Sequence, residues 1–93
     1  MQNSIEMALK LLKLSLGVTH DKRDLLFRSM LSANRAELEG RGVHLDLDSI
    51  DDCMLLADYT EFNYRNRDAD KPMPRNLDLR ICNRKAKGRA DRE

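Results

Sequence analysis

Tryptophan is absent from this sequence, and the remaining aromatic residues make up only 4% of the chain. Residues branched at Cβ are also few, whereas leucine, alanine and arginine are common. Sheets draw mainly on β-branched and aromatic side chains, so this composition favours helices over strands. A hydrophobic content of 41% argues against a wholly disordered chain. We therefore expect an all-α protein.

Long apolar runs are missing as well. None approaches the roughly 18–20 residues that a membrane-spanning helix needs, and nothing before the first predicted helix resembles a signal peptide. We expect no membrane partner and a protein made in the cytoplasm.

The two cysteines, Cys53 and Cys82, lack CxxC spacing, and we expect both to be reduced and packed.

Motifs for catalysis or cofactor binding are also lacking. His20, His44, Cys53 and Cys82 are far apart, without the paired spacing of structural zinc sites. No GKS or GKT follows a glycine, so a phosphate-binding loop is not predicted. The clustered carboxylates are interpreted as solvated linker and helix-start residues: Asp46, Asp48, Asp51 and Asp52. We predict no catalytic residue, metal or cofactor, and no enzymatic activity.

The 93 residues fit one small domain. A domain of this size buries only roughly 60–65% of the surface that its unfolded chain exposes, so partners could complete its core. Residues 1–70 carry 9 basic and 13 acidic side chains, whereas residues 71–93 carry 8 basic and 3 acidic ones. We predict a helical domain over 1–84 and a basic, mobile tail over 85–93.

Apolar residues at helical spacing predict helices at 4–14, 20–39 and 49–66, and a fourth that begins at Pro74. The first helix has one apolar face: Ile5, Ala8, Leu9, Leu11, Leu12 and Leu16. The face of the second comprises Leu26, Phe27, Met30, Leu31, Ala33 and Leu38. The third has two stripes: Ile50, Cys53, Met54, Ala57 and Tyr64, then Leu55, Tyr59 and Phe62. The fourth has Leu77 and Ile81, with Leu79 and Cys82 as further candidates.

Helix ends are predicted from local signals. Asn3 with Glu6 resembles a capping box, and Thr19 and Asp48 are candidate N-caps. Gly17 is expected to end the first helix. Gly40 and Gly42 are stop signals for the second. The alternating residues Val43, Leu45 and Leu47 predict an extended linker that packs onto the helices.

The basic C-terminal segment is the most distinctive feature. It contains Arg75, Arg80, Arg84, Lys85, Lys87, Arg89 and Arg92. These residues could form a solvated helix face, or they could dock onto an acidic protein or nucleic acid. Tyr59, Phe62 and Tyr64 could stack on single-stranded nucleic acid, although rings at this spacing are more often core or interface residues.

Three motifs occur in order along the C-terminal half. They are Tyr64-Arg65-Asn66-Arg67, then Met73-Pro74-Arg75-Asn76-Leu77, then Asn83-Arg84. This order resembles the C-terminal signature of the phage head–tail connector family, also described as putative DNA-packaging proteins. Residues 8–13, 16–19 and 45–52 are similar to family members too. The resemblance therefore covers nearly the whole chain.

The resemblance implies a helical structural subunit of the virion, located at the capsid vertex. Such subunits commonly assemble in twelvefold rings beneath the portal protein and join it to a tail-side completion or stopper protein. DNA passes through the ring without sequence-specific binding. The implied role includes no catalysis and no cofactor.

On this hypothesis the portal-docking candidates are Arg75, Arg80, Arg84, Lys85, Lys87 and Arg89. The subunit-interface or core candidates are Leu55, Tyr59, Phe62, Tyr64, Arg65, Arg67, Pro74 and Leu77. Two other functions remain open. One is a small regulator that binds DNA through a helix-turn-helix, although an acidic third helix would be repelled by phosphates. The other is a general interaction module or enzyme inhibitor.

Overall fold

The computed structural model describes residues 2–66 and 72–92, with side chains described for 5–66 and 72–87. Within these ranges the chain forms four helices: α1 (Gln2–Leu16), α2 (Asp24–Gly40), α3 (Ile50–Arg65) and α4 (Arg75–Arg92). The described residues contain no strand. The predicted all-α bundle is confirmed.

Consecutive helices run in opposite directions. The ion pairs Lys13–Asp24 and Glu6–Arg28 show that α1 and α2 are antiparallel. In the described part of the chain, α3 contacts each of the other helices, whereas α4 packs against α3 alone. The two apolar stripes of the third helix agree with this position, because α3 packs against other helices on several sides.

The core lies between α1, α2 and α3. Its largest fully buried apolar residues are Phe27, Leu12, Leu31, Leu38, Leu56 and Val43. Burying one leucine or phenylalanine side chain stabilises a fold by about 1.5–3 kcal/mol. Val43, Leu45 and Leu47 are also buried, while His44 and Asp46 between them and Asp48 after them are exposed. The predicted extended linker is confirmed.

Two glycines end helices in the same way. Gly17 has φ +74°, and the amides of Gly17 and Val18 donate to the carbonyls of Leu14 and Lys13. Gly42 has φ +91°, and its amide and that of Val43 donate to the carbonyls of Glu39 and Leu38. Both are Schellman motifs, which need a left-handed residue that glycine adopts without steric conflict.

The predicted N-caps are wrong. Helix α2 begins at Asp24 with Arg23 as its N-cap, after a turn that leaves Thr19 outside the helix. Helix α3 has Ser49 as its N-cap, and neither N-cap makes a side-chain capping bond. Because α1 already includes Gln2, Asn3 is helical rather than capping.

The fourth helix continues through 85–92, where a tail outside the helix was expected. Lysine, alanine and arginine are good helix formers, so the backbone needs no apolar anchor to stay helical there. The expected mobility of this segment stays a prediction. Leu77 and Ile81 are buried as predicted, but Leu79 and Cys82 are exposed on another face of the helix.

Gly42→Ala should lower the free energy of unfolding by about 1 kcal/mol, because the left-handed backbone opposes a side chain. The new Cβ would also lie 3.2 Å from Cε of Lys85. Gly40→Ala is the matched control, since Gly40 is helical and no atom lies within 4 Å of its added Cβ. That variant should gain about 0.5 kcal/mol. Urea unfolding measures both, and equal effects would contradict the assigned helix end.

Candidate assembly surfaces

Two ion pairs and a small apolar contact hold α4 on α3. Nη1 of Arg80 donates to Oδ2 of Asp58 at 2.7 Å, and Nε of Arg84 donates to Oδ1 of Asp52 at 2.9 Å. Leu77 and Ile81 supply the buried apolar side chains of this helix. The Arg80 pair is partly exposed, so solvent weakens it more than the Arg84 pair.

Asp52 connects three segments. Its Oδ2 also accepts the backbone N–H of Asp46 at 2.7 Å, so one carboxylate joins α3, α4 and the linker. The side chain is only 6% exposed. The prediction that Asp52 is a solvated helix-start residue is therefore wrong, whereas Asp46, Asp48 and Asp51 are exposed as expected.

The predicted docking residues separate into two groups. Arg75 and Lys87 are exposed, while Arg80 and Arg84 are directed at carboxylates of α3. Lys85 is half-buried, with its side chain over Gly42. The Arg89 side chain lies outside the described residues. Among the predicted docking cations whose side chains the structure describes, Arg75 and Lys87 are thus the exposed ones.

The candidate interface residues also differ in position. Leu55, Tyr59 and Leu77 are buried within the subunit, and Phe62 and Tyr64 are half-buried. Arg65 is exposed and pairs with Glu61 at 2.8 Å, one helical turn earlier. Pro74 is exposed directly before α4. Arg67 lies outside the described residues.

The aromatic residues are tied to the interior. The Tyr64 ring meets Phe27 edge to face, with centroids 5.4 Å apart, and its hydroxyl accepts from Arg23. The Tyr59 hydroxyl donates to Glu37, and burial together with this bond raises the pKa of Tyr59. A stacking platform of Tyr59, Phe62 and Tyr64 would need these rings to be exposed together, and Tyr59 is not.

A polar cluster between α2 and α3 was not foreseen. Nδ2 of Asn34 donates to Oγ1 of Thr60 at 3.0 Å, and Nδ2 of Asn63 donates to Oδ1 of Asn34 at 3.4 Å. Thr60 is fully buried. Nothing in the adjacent sequence signals this burial, because Thr60 is one of several polar residues on α3, with Asp58, Glu61 and Asn63.

A second polar contact joins α1 to α3. The Ser15 hydroxyl donates to Glu61, which also accepts from Nε of Arg65. Burial alone would raise the pKa of Glu61, but these two hydrogen bonds outweigh it and the pKa is lowered. The Glu61 carboxylate therefore stays charged and supports this contact.

Several large apolar side chains are exposed, and they occur on all four helices. They are Met7, Leu14, Leu25, Leu26, Ile50, Met54 and Leu79. Leu26, which was predicted on the apolar face of the second helix, is therefore exposed, as are Ile50 and Met54 of the first predicted stripe of the third helix. Ile50 and Met54 lie one helical turn apart, so they form a continuous apolar patch on α3.

A shallow groove of about 280 Å³ adjoins this patch between α3 and α4. Its lining includes Met54 and Leu55 from α3, with Arg80 and Asn83 from α4. A second depression of about 290 Å³ lies further along the same pair of helices, lined in part by Phe62 and Leu77. The exposed side of α3 is thus concave and partly apolar beside α4.

Neither a metal-binding cluster nor a membrane-crossing helix occurs in the described part of the chain. No group of three or more His, Cys, Asp or Glu residues is placed to hold a metal within residues 2–66 and 72–92. In these same ranges no helix is long and apolar enough to cross a membrane. No family model, curated protein or solved structure matches the chain.

Asp52→Ala should lower the free energy of unfolding by about 1–3 kcal/mol, because Arg84 and the Asp46 amide both lose their acceptor. Amide hydrogen exchange should also become faster in α4. Asp51→Ala removes an exposed carboxylate from the same turn and is the matched control. Equal stability of the two variants would show that the Asp52 contacts contribute nothing.

The two cysteines should differ in reactivity. Both are free thiols, but Cys53 is buried and Cys82 is exposed, so the predicted packing holds only for Cys53. Burial and the nearby Asp52 carboxylate raise the pKa of Cys53, which also donates to the Leu47 carbonyl. A thiol reagent should label one site in the native protein and two after unfolding. Cys82→Ser should abolish the native labelling, and persisting labelling would contradict the burial of Cys53.

Proposed function

We propose that this protein is a structural subunit of a bacteriophage head–tail connector. It would assemble as a ring beneath the portal at the capsid vertex, bind a tail-side completion protein, and surround the DNA channel without reading sequence. The proposal begins from the ordered motifs at residues 64–67, 73–77 and 83–84. An all-α bundle is the fold that this resemblance implies.

The structural observation that carries the proposal is the exposure of large apolar side chains on every helix. Leu25 is 78% exposed, and Ile50 is 58% exposed. Isolated apolar residues are normal on a protein surface, but paired ones on several faces are typical of surfaces that other subunits cover. A closed ring requires such surfaces, because each copy presents two different patches to its two neighbours.

The exposed cations supply a second argument. With Arg80 and Arg84 paired to α3, Arg75 and Lys87 remain accessible along α4. Exposed positive charges on the same helix attract acidic partners over long distances and speed their encounter. The portal-docking role proposed for α4 therefore rests mainly on Arg75 and Lys87, with Arg80 and Arg84 positioning the helix.

A DNA-binding regulator fits this arrangement less well. In a helix-turn-helix, the second helix must present one face to a DNA groove. Here α3 is packed against three other helices, and its remaining surface includes Asp51, Asp58 and Glu61. Carboxylates in these positions would be repelled by phosphates.

The direct test combines the purified protein with portal assemblies from a candidate phage. Size-exclusion chromatography with light scattering would measure the mass, and electron microscopy would locate the protein. A ring on the portal would support the proposal. A strict monomer that never binds portal, or recovery of only host proteins in pull-downs, would contradict it and favour an interaction module or inhibitor.

The double variant Arg75→Ser with Lys87→Ser should weaken portal binding while leaving helix content and unfolding free energy nearly unchanged. The loss should be largest at low salt, because salt screens exposed charges. Arg80→Ser with Arg84→Ser is the comparison, and it should loosen α4 and reduce stability. Unchanged portal affinity of the first variant at low salt would remove the electrostatic part of the proposal.

A further inference from the structure

Helix α4 buries fewer apolar side chains than α1, α2 or α3. Among its described side chains, at 75–87, Leu77 and Ile81 are the buried ones, and both lie in the first half of the helix. Further along, the half-buried side chain of Lys85 lies over Gly42. The described parts of α1 and α2 bury three apolar side chains each: Ala8, Leu9, Leu12, Phe27, Leu31 and Leu38. Because stabilisation rises with the apolar area removed from water, the apolar part of the α4 attachment is small.

Ion pairs supply much of the remaining attachment of α4. Arg80 pairs with Asp58 at 2.7 Å, and Arg84 pairs with Asp52 at 2.9 Å. If α4 moved away from α3, water would solvate both guanidinium groups and both carboxylates. Asp52 would also keep its hydrogen bond from the Asp46 amide, which belongs to the linker. Separation therefore leaves no charge buried without a partner, which is the costly way to break an ion pair.

The other three helices are held together by contacts that do not involve α4. The Glu6–Arg28 ion pair joins α1 to α2, and the hydrogen bond from Asn34 to Thr60 joins α2 to α3. The largest fully buried side chains belong to α1, α2, α3 or the linker. These contacts remain in place when α4 is absent from its site.

We propose that α4 detaches from α3 as a unit while α1, α2 and α3 stay folded, and that salt concentration controls this opening. Proteins open in cooperative units, and units with few buried apolar contacts open most easily. Opening uncovers Leu77 and Ile81, together with Leu55 in the groove beside α4. The open subunit thus presents an apolar surface that the closed subunit hides. This inference goes beyond the proposed function, because it depends on the contacts of α4 and not on ring assembly.

Amide hydrogen exchange in the unmodified protein tests the opening. Protection of the amides at 78–84 should fall about two- to fivefold between 0.01 M and 1 M salt, because salt screens the partly exposed Arg80–Asp58 pair. Exchange rates are compared with those of unstructured peptides at the same salt concentration. Amides of buried residues in the bundle, such as Leu12 and Leu31, should keep their protection over this range.

Two variants test whether the ion pairs control the opening. Arg80→Met with Arg84→Met removes both pairs but keeps much of each apolar stem. Protection at 78–84 should fall about tenfold or more, and it should no longer respond to salt. Arg28→Met is the matched control, because its ion pair has the same 2.7 Å distance and similar exposure to that of Arg80 but joins α1 to α2. It should leave the protection of α4 and its salt response unchanged.

Thiol labelling gives an independent measurement. In Ile81→Cys with Cys82→Ser, the new thiol occupies a buried position that becomes accessible when α4 opens. Cys53 is buried about 160° around α3 from Leu55, which lines the groove beside α4, so it reports unfolding of the bundle instead. Position 81 should react at least about tenfold faster than Cys53, and its rate should rise with salt.

Three results would overturn the inference. The first is equal protection of 78–84 and of the bundle core, and the second is labelling of position 81 and Cys53 at one rate. Either would mean that α4 leaves α3 only when the whole domain unfolds. The third is an opening that responds neither to salt nor to loss of the two arginines. Failure to bind portal would count against the proposed function alone, because none of these measurements requires a partner.

Discussion

Packing around α3 determines most of this structure. Its buried residues, among them Leu56, Tyr59 and Thr60, point in several directions, because α1, α2 and α4 contact different sides of the helix. Because α3 contacts the other three helices, its position determines how those helices are arranged. It also leaves α3 one narrow, partly exposed strip, which runs from Ile50 to Arg65 and includes exposed Met54 and half-buried Glu61. The charge and polarity of that strip therefore determine which partners can bind to α3 beside α4.

Local patterns in the sequence were sufficient for the helices and for much of the core. Spacing alone placed Leu9, Leu12 and Leu31 on buried faces, because a helix repeats its side-chain directions every 3.6 residues. The ends at Gly17 and Gly42 were predictable for a related reason. A Schellman motif forms within a few residues, so its signal is contained in the adjacent sequence. The alternation of Val43, Leu45 and Leu47 likewise predicted which linker residues are buried.

Features that depend on distant residues could not be predicted in the same way. Nothing near Asp52 in the sequence indicates that Arg84 lies beside it, so a solvated carboxylate was the natural expectation. Periodicity also does not distinguish a buried apolar face from an exposed one. Leu79 and Cys82 were therefore further candidates beside Leu77 and Ile81, and only the packing of α4 on α3 separates the two pairs. The set of candidate docking residues changed for the same reason, since two of its arginines, Arg80 and Arg84, are paired with carboxylates of α3.

The Asn34–Thr60–Asn63 cluster restricts how α2 and α3 can be aligned along their length. Leucine-rich helices slide past one another at small cost, because one apolar contact replaces another. A shift of one helical turn would bring Asn34 opposite a different side chain and leave the fully buried Thr60 hydroxyl without its donor. Each buried polar group left unsatisfied costs about 1–3 kcal/mol, which is a large fraction of the stability of a small domain. The cluster thus selects a single alignment of these two helices, and with it a fixed distance between the exposed apolar side chains at the start of α2 and those at the start of α3.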